Sequence, residues 1–370
     1  MVAAPAESSG KGDGRCLRSR VGVITSTDLS KQELVRDLLK QVSRLFYTTL
    51  AVVPADVRDQ VSLAYLFARA ADTIADTDLI DRHRRLDFLS QLKGQFVGDQ
   101  IVWGQVQDIQ QAIGPLQQHS SERVLLERLD QCFRLFLNFS PEDRRRVQRL
   151  MTTLTQGMEM DLSVFPGQAA EDLTALKTAD DLDRYTYYVA GCVGEFWTDL
   201  MCAHRKALAS WNVRDMSAVG VRFGKGLQLT NIVKDVAQDL QKGRCYVPES
   251  MLADAGLKPR DLLNQQNLPR FRPVLNTLIR MAVEHLDQGW LYTMAIPRYE
   301  TRLRLSCMWP ILSGGESLKL VMNSPDLLNP AVKVKIPRSK VYQIMAMTTG
   351  TAACGYSGTA YWGHLRKQIA

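Results

Sequence analysis

Apolar positions in this chain recur at helical spacing over most of its length. From Asp28 onward they return every three or four residues, the period of a helix that buries one face. Asp28 or Ser30 can cap a first helix running through Phe46, and Pro54 opens a second, reading ADVRDQVSLAYLFARAADTIADT. Further helix-compatible segments lie near 82–97, 121–138, 142–164, 181–209, 215–241, 271–296, 299–323 and 338–350. No run of alternating β-branched residues between hairpin turns occurs, so strands are not expected. Connections are expected at 98–120, 165–180, 242–270 and 324–337, which carry most of the Pro, Gly and Asn outside the N-terminal tail. The pattern predicts an all-α fold, one bundle of many helices. The expected layout is a flexible tail at 1–28, rich in Gly, Ser and Ala, a helical domain at 29–350, and a C-terminal tail at 351–370.

Composition narrows the class. Of 370 residues, 45% are hydrophobic, enough for a sizeable core and too many for a disordered chain. The formal net charge of +7 suits nucleic acid, an anionic membrane, anionic small substrates, or solubility alone. The basic residues are scattered except at 82–85, 144–146 and 333–340, and no zinc-finger spacing or RNA-binding aromatic motif occurs, so nucleic acid is not an expected partner. The seven cysteines are dispersed and never form C-x-x-C, as expected of core residues in a reducing compartment. Residues 1–20 lack an apolar signal core, and no stretch reaches the ~18 apolar residues of a membrane span. A cytoplasmic location is expected.

Two polar faces stand out. Tyr65, Arg69, Asp72 and Asp76 fall within roughly 60° of one another on a helix. Carboxylates at i and i+4 repel by ~0.2–0.5 kcal/mol, so a cation is expected between them. Arg69 or magnesium, which favours oxygen ligands shared with phosphates, would serve. A solvated acidic face is the alternative, although Leu63–Ala71 is mostly apolar and an unpaired carboxylate beside a core is costly. Gln228, Asn231, Asp235 and Asp239 likewise share a face within about 80° and make a hard-oxygen set, or else a plain polar surface. Between them, DLDRYTYYVAGCVG at 181–194 puts Tyr185 and Val189 on one face. Gly191 and Gly194 there leave room for a long apolar ligand or a neighbouring helix.

Together these segments resemble the squalene and phytoene synthase family of head-to-head prenyl synthases. The resemblance runs over about 30–340 and rests on S-R-L-F at 43–46, Y-L-F-A-R-A-A-D-T-I-A-D at 65–76, Y-T-Y-Y-V-A-G-C-V-G at 185–194, and Q-L-T-N-I-V-K-D-V-A-Q-D-L-Q-K-G-R-C-Y-V-P at 228–248. It implies a single-domain isoprenoid synthase bundle with a central apolar channel. It implies that Asp72, Asp76, Asp235 and Asp239 hold Mg2+, or Mn2+ in its place, with Gln228 and Asn231 in support. Arg69, Arg244 and Ser43 or Arg44 would meet diphosphate oxygens, Phe46 would line the channel, and Tyr65 and Tyr185 would flank the reacting carbons. The implied substrate is farnesyl diphosphate.

The ending differs within the family: squalene enzymes reduce with NADPH, whereas phytoene and dehydrosqualene synthases lose a proton. L-R-L-S-C-M-W-P-I-L at 303–312 and V-K-I-P-R-S-K at 334–340 resemble the squalene branch, making Lys335, Arg338 and Lys340 the NADPH candidates. An exposed basic loop is the alternative. Lys234 stands where squalene enzymes often carry Arg. The membrane-anchoring tail of the eukaryotic enzymes looks absent, which implies a bacterial-type form in peripheral membrane contact. Oligomeric state is not indicated. A non-catalytic prenyl-diphosphate-binding subunit is the reading from another class.

Overall fold

Long amphipathic segments and hard stops build the fold. The computed structural model describes residues 37–39, 50, 52–98, 100–352 and 355–369. Helix α1 (Ala55–Asp76) follows Pro54, whose extended backbone separates it from the preceding chain. Its apolar stripe, including Leu63, Leu66, Phe67, Ala70 and Ile74, is buried. Then come α2 (Arg82–Gly94), capped by Asp81, and α3 (Trp103–Ile113). Next are α4 (Ser120–Glu127), α5 (Leu129–Leu137) and α6 (Pro141–Val164), which starts from a Ser140 cap and an N-terminal proline. Helix α3 lies in a segment expected to be a connection; its Val106, Ile109 and Ile113, spaced three and four apart, are buried, and a helix this short takes its stability from the packing of such a face.

Thr178 and Asp181 form a reciprocal capping box that starts α7 (Ala179–Thr186). The chain then widens into a π turn over Tyr187–Gly191 before α8 (Cys192–His204). The expected single helix at 181–209 is therefore interrupted where aromatic and glycine residues crowd together. Helix α9 (Val213–Lys234) and α10 (Val236–Gln241) replace the single helix expected at 215–241. After the short α11 (Glu249–Asp254) come α12 (Leu268–Ala295), α13 (Thr301–Asn323), α14 (Arg338–Thr349) and α15 (Tyr356–Ile369). Helix α15 corrects the expected tail at 351–370. Trp362, Leu365 and Ile369 are buried, and Trp362 donates its indole N–H to Asp287 at 2.9 Å.

Helix α9 lies against α8, the π turn and α12. A Cβ on Gly194 would sit 2.0 Å from the Gly220 carbonyl oxygen, and one on Gly224 would sit 2.2 Å from that of Ala190. Close helix packing thus accounts for Gly194, and Gly191 also meets α9 through Val221. Two apolar clusters form the core. One centres on α1, α5, α6 and α8, the other on α9, α12 and α13, and Phe223 packs against both. Among the described residues no helix is long and apolar enough to cross a membrane. The described cysteines, Cys132, Cys192, Cys202, Cys245 and Cys307, are free thiols.

Candidate functional site

The first acidic row lies at the C-terminal end of α1. Arg69 hydrogen-bonds Asp72 on its own helix and Glu122 on α4, and Tyr65 stands close enough to act on the Arg69 charge. Burial opposes that charge, but Asp72 and Glu122 more than offset it, so the Arg69 pKa rises. Asp72 lies in a recess: its side chain keeps 40% of its surface accessible, yet protein surrounds it. Burial first, and the Asp76 charge second, raise its pKa to about 6. The end of the row is held from α2. Arg85 donates to the Ala75 carbonyl at 3.0 Å and Arg82 to the Leu162 carbonyl at 2.7 Å, so otherwise open helix-end carbonyls are satisfied.

The second row straddles a break. Asp235, at φ −100° and ψ 10°, ends α9 and precedes α10. The Asp239 N–H still donates to the Asp235 carbonyl at 3.0 Å, so the carboxylates remain one turn apart. Lys234 bridges Asn231 at 3.2 Å and Asp235 at 3.2 Å, which puts a cation inside this row. Burial, then the Asp235 charge, raises the Asp239 pKa to about 7. Gln228 is half-buried and Asn231 exposed on α9.

A residue in the loop after the second row reaches the first. Gly243 adopts φ +75°, a left-handed geometry that closes α10 with hydrogen bonds to Asp239 and Leu240 carbonyls around it. The next two residues, Arg244–Cys245 (β2), pair in parallel with Thr174–Ala175 (β1). This two-residue ladder aims Arg244 back towards α1. Its Nη1 lies 2.9 Å from Asp76 and 3.3 Å from Asp161 of α6. Arg244 also offsets part of the upward push on Asp239. Burial opposes the Arg244 charge, and Asp161, Tyr246 and Asp76 reverse that effect, so its pKa is raised.

Beneath Arg244 is a buried polar group. Tyr246 donates its hydroxyl to Asp161 at 2.7 Å, and Tyr185 is a second phenol that reaches Asp161. The two tyrosine rings stack with centroids 4.7 Å apart, and Phe165 meets Tyr246 edge-on at 5.0 Å. Burial raises the Asp161 pKa to about 6, against the lowering influence of Arg244 and Tyr246. Burial pushes both phenols well above their usual value.

The structure thus brings together Tyr65, Arg69, Asp72, Asp76, Tyr185, Asp239 and Arg244. The NADPH candidates lie differently: Lys335 and Arg338 are exposed, while Lys340 faces the buried carboxylate of Glu316 at 3.6 Å. The segment before them is tied to α10, because Gln238 donates to the Pro330 and Val332 carbonyls at 3.2 and 3.0 Å. Ser43, Arg44 and Phe46 lie outside the described residues.

Among the described residues no three acidic, histidine or cysteine side chains converge as a metal cage. Two carboxylates per row nevertheless fit magnesium that takes its remaining ligands from phosphate and water. The buried Nε of Arg69 has no hydrogen-bond partner, an unmet donor that suits an anionic oxygen. Sequence reasoning missed Asp161, Tyr246, Glu122 and Arg85. Asp161 is flanked by Met160 and Leu162, but Glu159 sits between Met158 and Met160 in the same way, so the sequence did not single it out. Glu122 gave no signal either, being indistinguishable from a surface charge.

Residues 39–340 match the squalene/phytoene synthase family. The chain is 25% identical to the squalene synthase ERG9 of Saccharomyces cerevisiae over 300 residues, which cover 81% of this chain and 63% of that enzyme; it thus spans less than two thirds of that relative. Among solved structures it is similar to a ligand complex of TcSQS, with a TM-score of 0.72 at 20% identity, covering 92% of this chain and 96% of the other. It is also similar to a ligand complex of a dehydrosqualene synthase, with a TM-score of 0.57 at 22% identity over 86% of this chain and 95% of the other. These likenesses agree with the helical bundle described above, and the extent of the family match shows that the chain belongs to the squalene/phytoene synthase family.

Proposed function

We propose that the protein joins two farnesyl diphosphates head to head through presqualene diphosphate, a cyclopropyl intermediate, and reduces the product to squalene with NADPH. The observation that supports this reading is Arg244, which follows the second aspartate row in the chain and lies 2.9 Å from Asp76 at the end of the first. Asp72, Asp76, Asp235 and Asp239 would hold magnesium. When bound, magnesium neutralises charge on a departing diphosphate. Manganese has the same ligand preference.

The chain's own groups do the rest. Arg69 and Arg244 bind and orient diphosphate oxygens, and the unmet Nε of Arg69 gains an acceptor. Gln228 and Asn231 support the second row. Tyr65 and Tyr185 offer ring faces to an allylic cation, an attraction of ~2 kcal/mol or more when desolvated. The two apolar clusters exclude the water that would quench it. The proton lost when the cyclopropane closes leaves by way of Tyr185 or to the released diphosphate. Lys335, Arg338 and Lys340 would hold the phosphates of NADPH, which when bound would supply a hydride. Ser43, Arg44 and Phe46 keep their proposed substrate roles. The insoluble product calls for a cytoplasmic protein in peripheral contact with a membrane, which sedimentation with lipid vesicles tests.

One observation favours a second reading, a non-reducing synthase making dehydrosqualene or phytoene: Lys340 is already engaged by Glu316. The deciding experiment incubates the protein with farnesyl diphosphate and magnesium, with and without NADPH, and identifies the hydrocarbon. Squalene formed only with NADPH supports the first reading. Dehydrosqualene regardless of NADPH, or phytoene from the longer geranylgeranyl substrate, supports the second. No hydrocarbon from either substrate refutes both.

A further inference from the structure

The buried carboxylate of Asp161 lies beneath the two aspartate rows and holds no proposed metal. It is not on either aspartate row, and it is 8% exposed. Its neighbours are Tyr246, donating at 2.7 Å, Arg244 at 3.3 Å, and the Tyr185 hydroxyl. Tyr185 and Tyr246 also interact through their hydroxyls. A structural carboxylate buried at this depth calls for a reason, because burying it costs free energy that one ion pair rarely recovers.

We propose that Asp161 is the terminal proton acceptor of a relay that runs from the reacting carbon through Tyr185, with Tyr246 and Arg244 holding the carboxylate in place. The inference rests on the proposed cyclopropane-forming reaction. A neutral phenol is a weak base, and burial drives both tyrosines further from ionisation. Tyr185 alone therefore has nowhere to put a second proton. With Asp161 behind it, the balance closes. The substrate C–H bond breaks, and its electron pair forms the new ring C–C bond at the cationic carbon. The proton goes to the Tyr185 oxygen, and the original hydroxyl proton of Tyr185 passes to an Asp161 oxygen, directly or through Tyr246. The carbocation and the carboxylate leave as a neutral ring and a carboxylic acid, with no other reactant. The carboxyl, at about 6, is ionised at neutral pH and far more basic than a phenol. Arg244 keeps it from rising further.

A π turn follows Tyr185. The turn begins at Tyr187, directly past the relay, and π turns often mark functional positions within helices. The ring stack against Tyr246 fixes the Tyr185 ring while leaving its hydroxyl at the carboxylate.

The test compares wild type with Asp161→Asn, Tyr246→Phe and Tyr185→Phe, incubated with farnesyl diphosphate and magnesium. Diphosphate release and thirty-carbon product are measured separately, with circular dichroism as a check of folding. For Asp161→Asn the relay predicts diphosphate release within a few-fold of wild type at unchanged KM. It predicts a loss of thirty-carbon product of about 100-fold or more, the scale of general-base catalysis, with fifteen-carbon alcohols in its place. Tyr185→Phe should show the same uncoupling, and Tyr246→Phe a milder form, since Tyr185 reaches Asp161 without it. If Asp161→Asn stays fully coupled, or loses release and product in equal proportion, the relay is wrong. If wild type itself makes no thirty-carbon product, the proposed reaction fails and the relay with it, a result distinct from one confined to the variants.

Discussion

Replacing Arg244 by alanine strands a charge. The Arg244 side chain is 15% exposed and that of Asp161 11%, so the Asp161 arm of the bridge is nearly dry. Removing one partner of such a pair costs ~3–5 kcal/mol, because the other charge stays buried. Tyr246 still donates to Asp161, which places the expected loss near the lower end, about 3 kcal/mol. The Asp76 arm adds about 0–1 kcal/mol, since that carboxylate is 48% exposed. Adding Asp161→Asn removes the stranded charge at constant size, and the double variant should recover about 2 kcal/mol relative to Arg244→Ala, a coupling typical of contacting groups. The pH dependence has a definite sign. With Arg244 present the Asp161 carboxyl titrates at about 6, above the ordinary 3.8. A carboxyl raised on folding favours the folded state below its ordinary value and loses that contribution as pH rises through about 6. Without Arg244 the carboxyl shifts further up, so the penalty of Arg244→Ala should be smaller at pH 5 than at pH 8. Urea unfolding of the wild type, both single variants and the double variant, at both pH values, measures all of this. Additive single-variant losses, or a penalty that ignores pH, would refute the buried bridge.

Three further outcomes are expected. The protein without metal should lose stability as pH rises from about 4 to about 7, because Asp72 and Asp239 are raised to about 6 and about 7 and folding favours their protonated forms; magnesium with inorganic diphosphate should restore it in wild type, and Asp72→Asn or Asp239→Asn should abolish that restoration in a thermal shift assay. Gly194→Ala should cost about 3 kcal/mol or more, because its Cβ would overlap the Gly220 carbonyl, whereas Gly104→Ala, which meets nothing within 4 Å in α3, should stabilise by ~0.5–1 kcal/mol; chemical denaturation compares the two. Trp362→Ala, at a position only 3% exposed, should cost ~3–5 kcal/mol in the same assay, which tests whether α15 belongs to the folded body.

The chain pattern determined the long elements. Helices α1, α6, α12 and α13 were legible because each sustains an apolar stripe over five or more turns, and a stripe of that length is unambiguous without knowing its partner. The same spacing placed Asp72 beside Asp76 and Asp235 near Asp239, since helix geometry is local. Short or interrupted elements were not legible. Helix α3 depends on neighbours to cover three residues, α15 depends on a glycine-lined face of α13 where Gly315 meets Trp362, and the breaks at Asp235 and Tyr187 arise where packing overrides a continuous period. The site divides along the same line. Tyr65, Arg69 and the aspartates could be read from one helix at a time. The contact that ties the chain after the second row to the first could not. It depends on a left-handed Gly243 and a two-residue ladder that carry Arg244 across 168 positions to Asp76, and on a buried Asp161 from a third helix. Those are contacts between segments distant in sequence, and only the folded chain sets such distances.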